Sequence, residues 1–284
     1  MHVIRVLACG FLFACGSKTE RATPEPAPPA APQVIDAPPP PALSQAMLER
    51  WRDGCFLLRT SRGLVENDRE RCAKPRRPYS TFKLPNALIA LDAKLLAGPD
   101  AQMAWDKQRV RDEKRYFDSW RKPHTLRSAM KVSAVPHFRT LALDLGAERM
   151  AAGLAKLDYG NRSMGGGLDQ FWLKGDLRIS ATQQLAFVDH LARGTLDVSK
   201  EAQAAVREII ELDKKGDRTL HGKTGSGAIE DADGWLMWQV GWIDHAGEVQ
   251  PYAAWIEVRG ATFDEARAAR EQLLHATFTD LGTF

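Results

Sequence analysis

No apolar run in this chain reaches the roughly 18 residues that a membrane-spanning helix needs. Charge of one sign is also scarce in excess: 39 Lys and Arg face 36 Asp and Glu, a formal net charge of +3. A dedicated nucleic-acid binder would show a larger basic surplus or a clustered basic stripe, so nucleic acid is not an expected partner. Seven histidines occur without H-E-x-x-H or any other metal-ligand spacing, so nothing supports a metal-dependent hydrolase and no metal is expected. Internal repeats are absent too. What the chain has is 44% hydrophobic and 26% charged residues, a balance that argues against global disorder. Proline is sparse over most of the length, yet nine of the 16 prolines lie between Pro24 and Pro41.

That imbalance divides the chain near residue 43. Residues 1–15 read as an export signal: Arg5 supplies the charged start, and Val6–Ala14 is apolar but too short to span a bilayer. The segment ends Leu12-Phe13-Ala14-Cys15, which resembles a bacterial lipoprotein signal with Cys15 as the lipidated residue. Phe13 is larger than that pattern usually accepts, and simple cleavage with loss of Cys15 is the alternative. Residues 16–43 form a Pro/Ala-rich tether. Runs such as Pro38-Pro39-Pro40-Pro41 lack backbone donors, favour polyproline II and build no core.

Residues 44–284 are long enough for a substantial core. Cys55–Leu58 and Gly63–Val65 flank a Ser61-Arg62-Gly63 turn and predict a β-hairpin. Cys55 and Cys72 lie symmetrically about that turn, on neighbouring strands or just beyond, and in an exported protein they predict a disulfide, with two buried free thiols as the alternative. Helical spacing runs from Ser80 to Leu96 and again over Thr125–Val132 and Thr182–Ala192. Thr219–Gly225, Gly234–Ile243 and Pro251–Val258 read as strands, and Phe263–Phe278 as a closing amphipathic helix. Strands at both ends with helices between predict an α+β fold. Its antiparallel sheet is joined from both termini, flanked by helices, with an all-helical subdomain inserted.

Three short motifs carry chemistry. Ser80-Thr81-Phe82-Lys83 stands where the first long helix begins, and residues i and i+3 share a helix face. A serine needs a base to become nucleophilic, and a lysine serves only when apolar burial lowers its pKa. Phe82 and Leu84 are the adjacent apolar side chains. Alone, this pattern is weak, because about one copy per chain of this size arises by chance. Lys223-Thr224-Gly225-Ser226 on a strand offers a cation and hydroxyls to a carboxylate, with glycines that let a ligand come close. Between them, Ser133-Ala134-Val135 offers a second serine able to pass a proton to a leaving amine. In isolation, a helix-capping Ser133 and a turn fragment at Lys223 are the more economical readings. The two end motifs in this order, about 140 residues apart, are harder to obtain by accident.

With these residues in view, Pro78–Leu91 resembles the active-site segment of class D β-lactamases, the oxacillinases. The resemblance continues through Trp120, Thr125–Val135, Tyr159-Gly160-Asn161, Phe171-Trp172-Leu173, Lys223-Thr224-Gly225 and Trp238–Trp242. Class A enzymes and penicillin-binding proteins share the first and last motifs, but they carry Ser-Asp-Asn or Ser-x-Asn where this chain has Ser133-Ala134-Val135.

The resemblance implies a fold of the serine β-lactamase and penicillin-binding transpeptidase type, and hydrolysis of β-lactams with no cofactor beyond CO2 or bicarbonate. By the same resemblance Ser80 would be acylated, and Lys83, carboxylated to N6-carboxylysine, would be the base for acylation and deacylation. Trp172 would steady the carbamate, Val135 would shield it, and Ser133 would relay the proton. Backbone N–H groups of Ser80 and Ser226 would form the oxyanion hole. Lys223, Thr224, Gly225 and Arg270 would meet the antibiotic's carboxylate, with Arg267, one turn earlier, as the alternative to Arg270. His137 and His221, which flank motifs, are expected to face solvent, with positions lining the cleft as the alternative, and the charged run 108–115 to be a solvated helix or loop. A non-hydrolysing β-lactam sensor or penicillin-binding domain that stays acylated is the alternative function. The expected location is the periplasm, anchored to the outer membrane through a lipid at Cys15 as the only membrane contact; the oligomeric state is open.

Overall fold

In the computed structural model, residues 39–284 are described. The export signal of residues 1–15, Cys15 and the tether up to residue 38 lie outside them. No helix among the described residues is long and apolar enough to cross a membrane.

The chain opens with helix α1 (Gln45–Arg50), then the hairpin of β1 (Gly54–Thr60) and β2 (Gly63–Glu66). Next come α2 (Arg69–Ala73), a 3-10 turn (Tyr79–Phe82), α3 (Lys83–Asp92) and the short pair β3 (Gln102–Met103) and β4 (His124–Thr125). Helices α4 (Leu126–Val132), α5 (Val135–Lys156), α6 (Ala181–Arg193) and α7 (Lys200–Ile209) complete the helical middle. The C-terminal third is β5 (Glu211–Lys215), β6 (Arg218–Ala228), β7 (Gly234–His245), β8 (Glu248–Arg259) and α8 (Phe263–Asp280).

Six strands form one antiparallel sheet in the order β2-β1-β8-β7-β6-β5, so its centre joins the N-terminal hairpin to the C-terminal meander. The β7–β8 turn is Ala246-Gly247, both with positive φ, the turn geometry that matches the twist of two paired strands. Side chains alternate between two apolar layers. Leu236, Trp238, Val240 and Trp242 face the helical part, whereas Met237 and Ile243 pack with Trp51, Phe278 and the α8 side. β5 is short: its register ends with Glu211 opposite His221, followed by one more bond from Gly222 N–H to Ile210 O at 2.8 Å.

The α+β architecture and the strands at both ends follow the sequence closely. The helix expected from Ser80 differs in kind, because a 3-10 turn carries Ser80 and the α-helix starts at Lys83. Every residue from Lys83 to Leu91 is buried, since α3 runs through the middle of the molecule and packs on α5 and α7. The expected disulfide joins Cys55 and Cys72; Cys55 is on β1, and Cys72 sits in α2, just past the hairpin. The bridge closes a segment with a sequence separation of 17, for which chain entropy gives about 3 kcal/mol of stabilisation.

Candidate active site

Ser80 and Lys83 meet because of the turn they share. In a 3-10 turn side chains three apart eclipse one another, and Lys83 Nζ donates to Ser80 Oγ at 2.6 Å. Tyr79, just before the serine, is held at positive φ (51°) by bonds at both ends. Its N–H donates to Trp172 O at 3.1 Å and its hydroxyl to Ala228 O at 2.5 Å. Ser80 is half-buried, so its hydroxyl stays reachable, while Lys83 is wholly buried.

Desolvation pushes the Lys83 amine well below the ordinary lysine pKa, and the nearby Lys223 charge adds to the effect. The Phe138 ring lies 5.4 Å from Nζ. Phe82 fills the next space, stacked on Trp172 at 4.9 Å with Phe171 edge-on at 4.9 Å. Within this apolar surround three buried polar atoms have no partner among the described residues: Trp172 Nε1, Ser133 Oγ and Asn86 Oδ1. An unpaired buried donor such as the indole N–H is costly unless something occupies the space beside it.

Ser133 caps α4 in the left-handed conformation (φ 57°), and Val135, half-buried, begins α5 two residues later. The Trp120 indole N–H anchors that corner by donating to Val132 O at 2.8 Å. Tyr159, Gly160 and Asn161 shape the loop that delivers Trp172. Asn161 takes the Arg178 N–H at 3.0 Å and donates to Asp176 O at 2.9 Å, which closes the loop on itself.

β6 forms the opposite wall. At Gly225 an added Cβ would lie 2.6 Å from Pro78 O and 3.0 Å from Thr81 N, so the strand passes directly against the turn that carries Ser80. Ser226 follows, paired with Met237. Lys223 is buried, and its Nζ donates to Thr224 O at 3.0 Å. Desolvation, with the Arg270 charge next in size, lowers Lys223 to about 7.

Arg270 is buried on α8, with its Nη2 donating to Glu271 Oε1 at 3.0 Å and its Nε unpartnered. Arg267 is exposed and bound to Asp264, so Arg270 is the arginine brought beside Lys223.

Two expectations fail. His137 and His221 do not face solvent. His137 is buried against His124 and Trp105, and His221 stacks on Trp242 at 4.8 Å with its Nε2 bound to Asp244 at 3.0 Å. Each ring offers an apolar body that packs well once the neighbouring aromatics are in place. The 108–115 run is a loop of exposed ion pairs, apart from a buried Val110 and a part-buried Glu113. Among the described residues, no group of three or more His, Cys, Asp and Glu is arranged to hold a metal. Sequence reasoning missed Tyr79, Asn86 and Phe138. For Phe138 the signal was available, since it stands one helical turn after Val135 on the same face.

Known proteins resemble this chain. The family model described as penicillin binding protein transpeptidase domain matches residues 53–275. β-Lactamase OXA-10 of Pseudomonas aeruginosa is 37% identical over 204 residues, 71% of this chain and 75% of that protein. The crystal structure of FUS-1 (OXA-85), a class D β-lactamase from Fusobacterium nucleatum subsp. polymorphum, superposes with a TM-score of 0.77 at 32% identity. That superposition covers 85% of this chain and 99% of FUS-1. A class D β-lactamase from Bacillus subtilis has a TM-score of 0.71 at 32% identity, covering 83% of this chain and 95% of its own. A buried Ser–Lys pair against a glycine-bearing Lys-Thr strand, on this sheet and with these relatives, places the chain in the class D serine β-lactamases, on the penicillin-binding transpeptidase fold.

Proposed function

We propose that the protein hydrolyses β-lactams by acylation of Ser80 and hydrolysis of the acyl-enzyme, with Lys83 carboxylated on Nζ. The observation that carries this reading is a fully buried lysine amine 2.6 Å from the Ser80 hydroxyl, its pKa pushed well below the ordinary lysine value by desolvation, with the unpartnered Trp172 indole stacked on the neighbouring Phe82. Carboxylation needs the neutral amine, which burial supplies, and Trp172 Nε1 is the donor available to hold it. A carbamate supplies an oxygen base where the amine alone would stand.

Ser80 Oγ attacks the lactam carbonyl as its proton leaves toward the end of the Lys83 side chain. The C–N bond of the ring then breaks, and Ser133 passes a proton to the departing nitrogen. Backbone N–H groups of Ser80 and Ser226 steady the carbonyl oxygen, and a water attacking the ester restores Ser80. Lys223, Thr224 and Arg270 hold the substrate carboxylate, and Val135 and Phe138 keep solvent from Lys83. Export by residues 1–15 and a lipid anchor at Cys15 followed by the 16–43 spacer belong to the same proposal. They rest on the charged start, the short apolar run and the Leu-x-small-Cys ending.

The test is turnover of a chromogenic cephalosporin with and without bicarbonate. Catalytic turnover that rises with bicarbonate is expected. Stoichiometric acylation without turnover would instead make the chain a sensor, and turnover indifferent to bicarbonate would remove the carbamate.

Lys223 gives the cleft a pH dependence. Its amine is charged below pH 7 and increasingly neutral above it, while an anionic substrate seated against it favours the charged form. Binding should therefore take up a proton when it occurs above pH 7. Calorimetry of a Ser80→Ala variant at pH 8, in buffers of different ionisation enthalpy, should show uptake of about half a proton or more, falling toward zero at pH 6. No exchange at pH 8 would mean that Lys223 is already charged in the free protein.

A further inference from the structure

Arg139 is a buried cation that none of the steps above uses. It lies on α5 immediately after Phe138, the residue whose ring faces Lys83, and its guanidinium is engaged on two sides. Nε and Nη2 donate to Asp169 Oδ2 at 2.9 and 2.6 Å. Nη1 donates to Glu113 Oε1 at 2.8 Å and to the Tyr116 hydroxyl at 2.7 Å, and that hydroxyl donates to Glu113 Oε1 at 3.0 Å.

These partners come from two separate segments. Asp169 stands three residues before Trp172, in a tight turn where Phe171 N–H donates to Gly167 O at 2.9 Å and Leu173 N–H to Gln170 O at 2.8 Å. Glu113 and Tyr116 lie in the segment between β3 and β4, whose Trp105 and Trp120 pack on Tyr116. One side chain thus ties the turn carrying Trp172 and the aromatic segment before Ser133 to the first turns of α5.

We infer that Arg139 is a positioning residue for deacylation, fixing the Trp172 indole and the Phe138 ring relative to each other around the Lys83 amine. The inference rests on the reading of Lys83 and Trp172 given above. A residue needed only to fill space here would be better apolar, because a buried charge is tolerated only with its partners in place. A guanidinium has what a filler lacks: a rigid fork of donors that sets angles as well as distances. The effect should fall on the step that depends on Trp172, and Ser80 attack should be largely spared.

The experiment measures acylation and deacylation rates separately for Arg139→Gln, Arg139→Lys, Asp169→Asn, Trp172→Ala and the Arg139→Gln/Trp172→Ala pair. Misplacing a catalytic wall by about 1 Å can cost on the order of 100-fold. Arg139→Gln and Asp169→Asn should accordingly slow deacylation by about 10- to 100-fold, with acylation within about threefold. Arg139→Lys should restore only part of the rate, since it keeps the charge and loses the fork. In the Trp172→Ala background Arg139→Gln should add nothing further.

A second readout needs no turnover. With 5-fluorotryptophan incorporated, the Trp172 resonance, assigned by its loss in Trp172→Phe, should shift or broaden in Arg139→Gln and in Asp169→Asn. Additive effects in the double variant, or a Trp172 resonance unmoved in both, would overturn the proposal and leave Arg139 a structural ion pair. A wild-type protein that shows no bicarbonate effect, or that stays acylated, removes the proposed function instead, and the fluorine signal still decides the role of Arg139.

Discussion

Lys83→Ala should lower kcat for β-lactam turnover by about 10⁴-fold, the upper end of what a positioned base contributes. Among the described residues no other side chain makes a hydrogen bond to Ser80 Oγ, so no other side chain is already placed to take its proton directly. Deacylation should suffer at least as much as acylation, so any ester that forms should persist on Ser80 and appear in the intact mass as a long-lived adduct. A kcat within tenfold of the wild type would mean that the serine is activated from elsewhere. The companion variant Lys83→Met should be equally inactive and yet unfold at a higher temperature. Its sign follows from linkage for CO2-free protein, in which Lys83 is the bare amine: with the folded pKa below the unfolded value of 10.5, unfolding takes up a proton at intermediate pH. The wild-type penalty is therefore greatest at low pH and vanishes as pH rises past 10.5. The melting-temperature gap between Lys83→Met and wild type should narrow in the same direction.

Trp172→Ala carries the second large effect, in two separable parts. The indole is 1% exposed and stacked on Phe82, so truncation leaves a cavity costing about 3–5 kcal/mol. For a domain of this size that corresponds to a melting temperature lower by roughly 10 °C. Deacylation should fall by about 100-fold if the indole N–H holds the Lys83 carbamate as proposed. Trp172→Phe separates the two in large part, since it keeps a ring against Phe82 while removing the N–H and a smaller part of the indole volume. It should recover most of the stability and leave deacylation slow. If Trp172→Phe hydrolyses normally, the unpaired Nε1 has no part in the reaction.

The sequence shows the sheet more plainly than the helices. Alternation in Gly234–Ile243 and Pro251–Val258 reports strands whose two faces both meet apolar layers, and the hairpin at Cys55–Val65 announces itself through its turn. The closing helix carries its own start signal, Thr262 and Glu265 capping each other's backbone. By contrast β5, Glu-Leu-Asp-Lys-Lys, is exposed at every position and has no pattern to read; it is a strand because β6 offers it a partner. α5 hides its length because Gly146 breaks its geometry at φ 79°, and the exposed Ala147-Glu148-Arg149 follows it.

α7 should have been legible, with Ser199 as its cap and Ala202, Ala205, Val206 and Ile209 on one face. In the site, Ser80 with Lys83 and Lys223 with Thr224 are local in sequence, so spacing alone pairs them. The orphaned Trp172 indole, the Phe138 ring over Nζ and the choice of Arg270 over Arg267 depend on contacts between segments far apart in the chain. Those contacts exist only once the helical part has packed on the sheet.

β5 has a consequence beyond its five residues. Because its ladder on β6 stops at Gly222, the stretch from Lys223 to Ala228 pairs with β7 on one side and, among the described residues, has no strand on the other, and Gly225 within it meets the turn that carries Ser80. Lengthening β5 by even a few residues in register would lay a new backbone across the Lys-Thr-Gly row and shut the enzyme with every catalytic side chain intact.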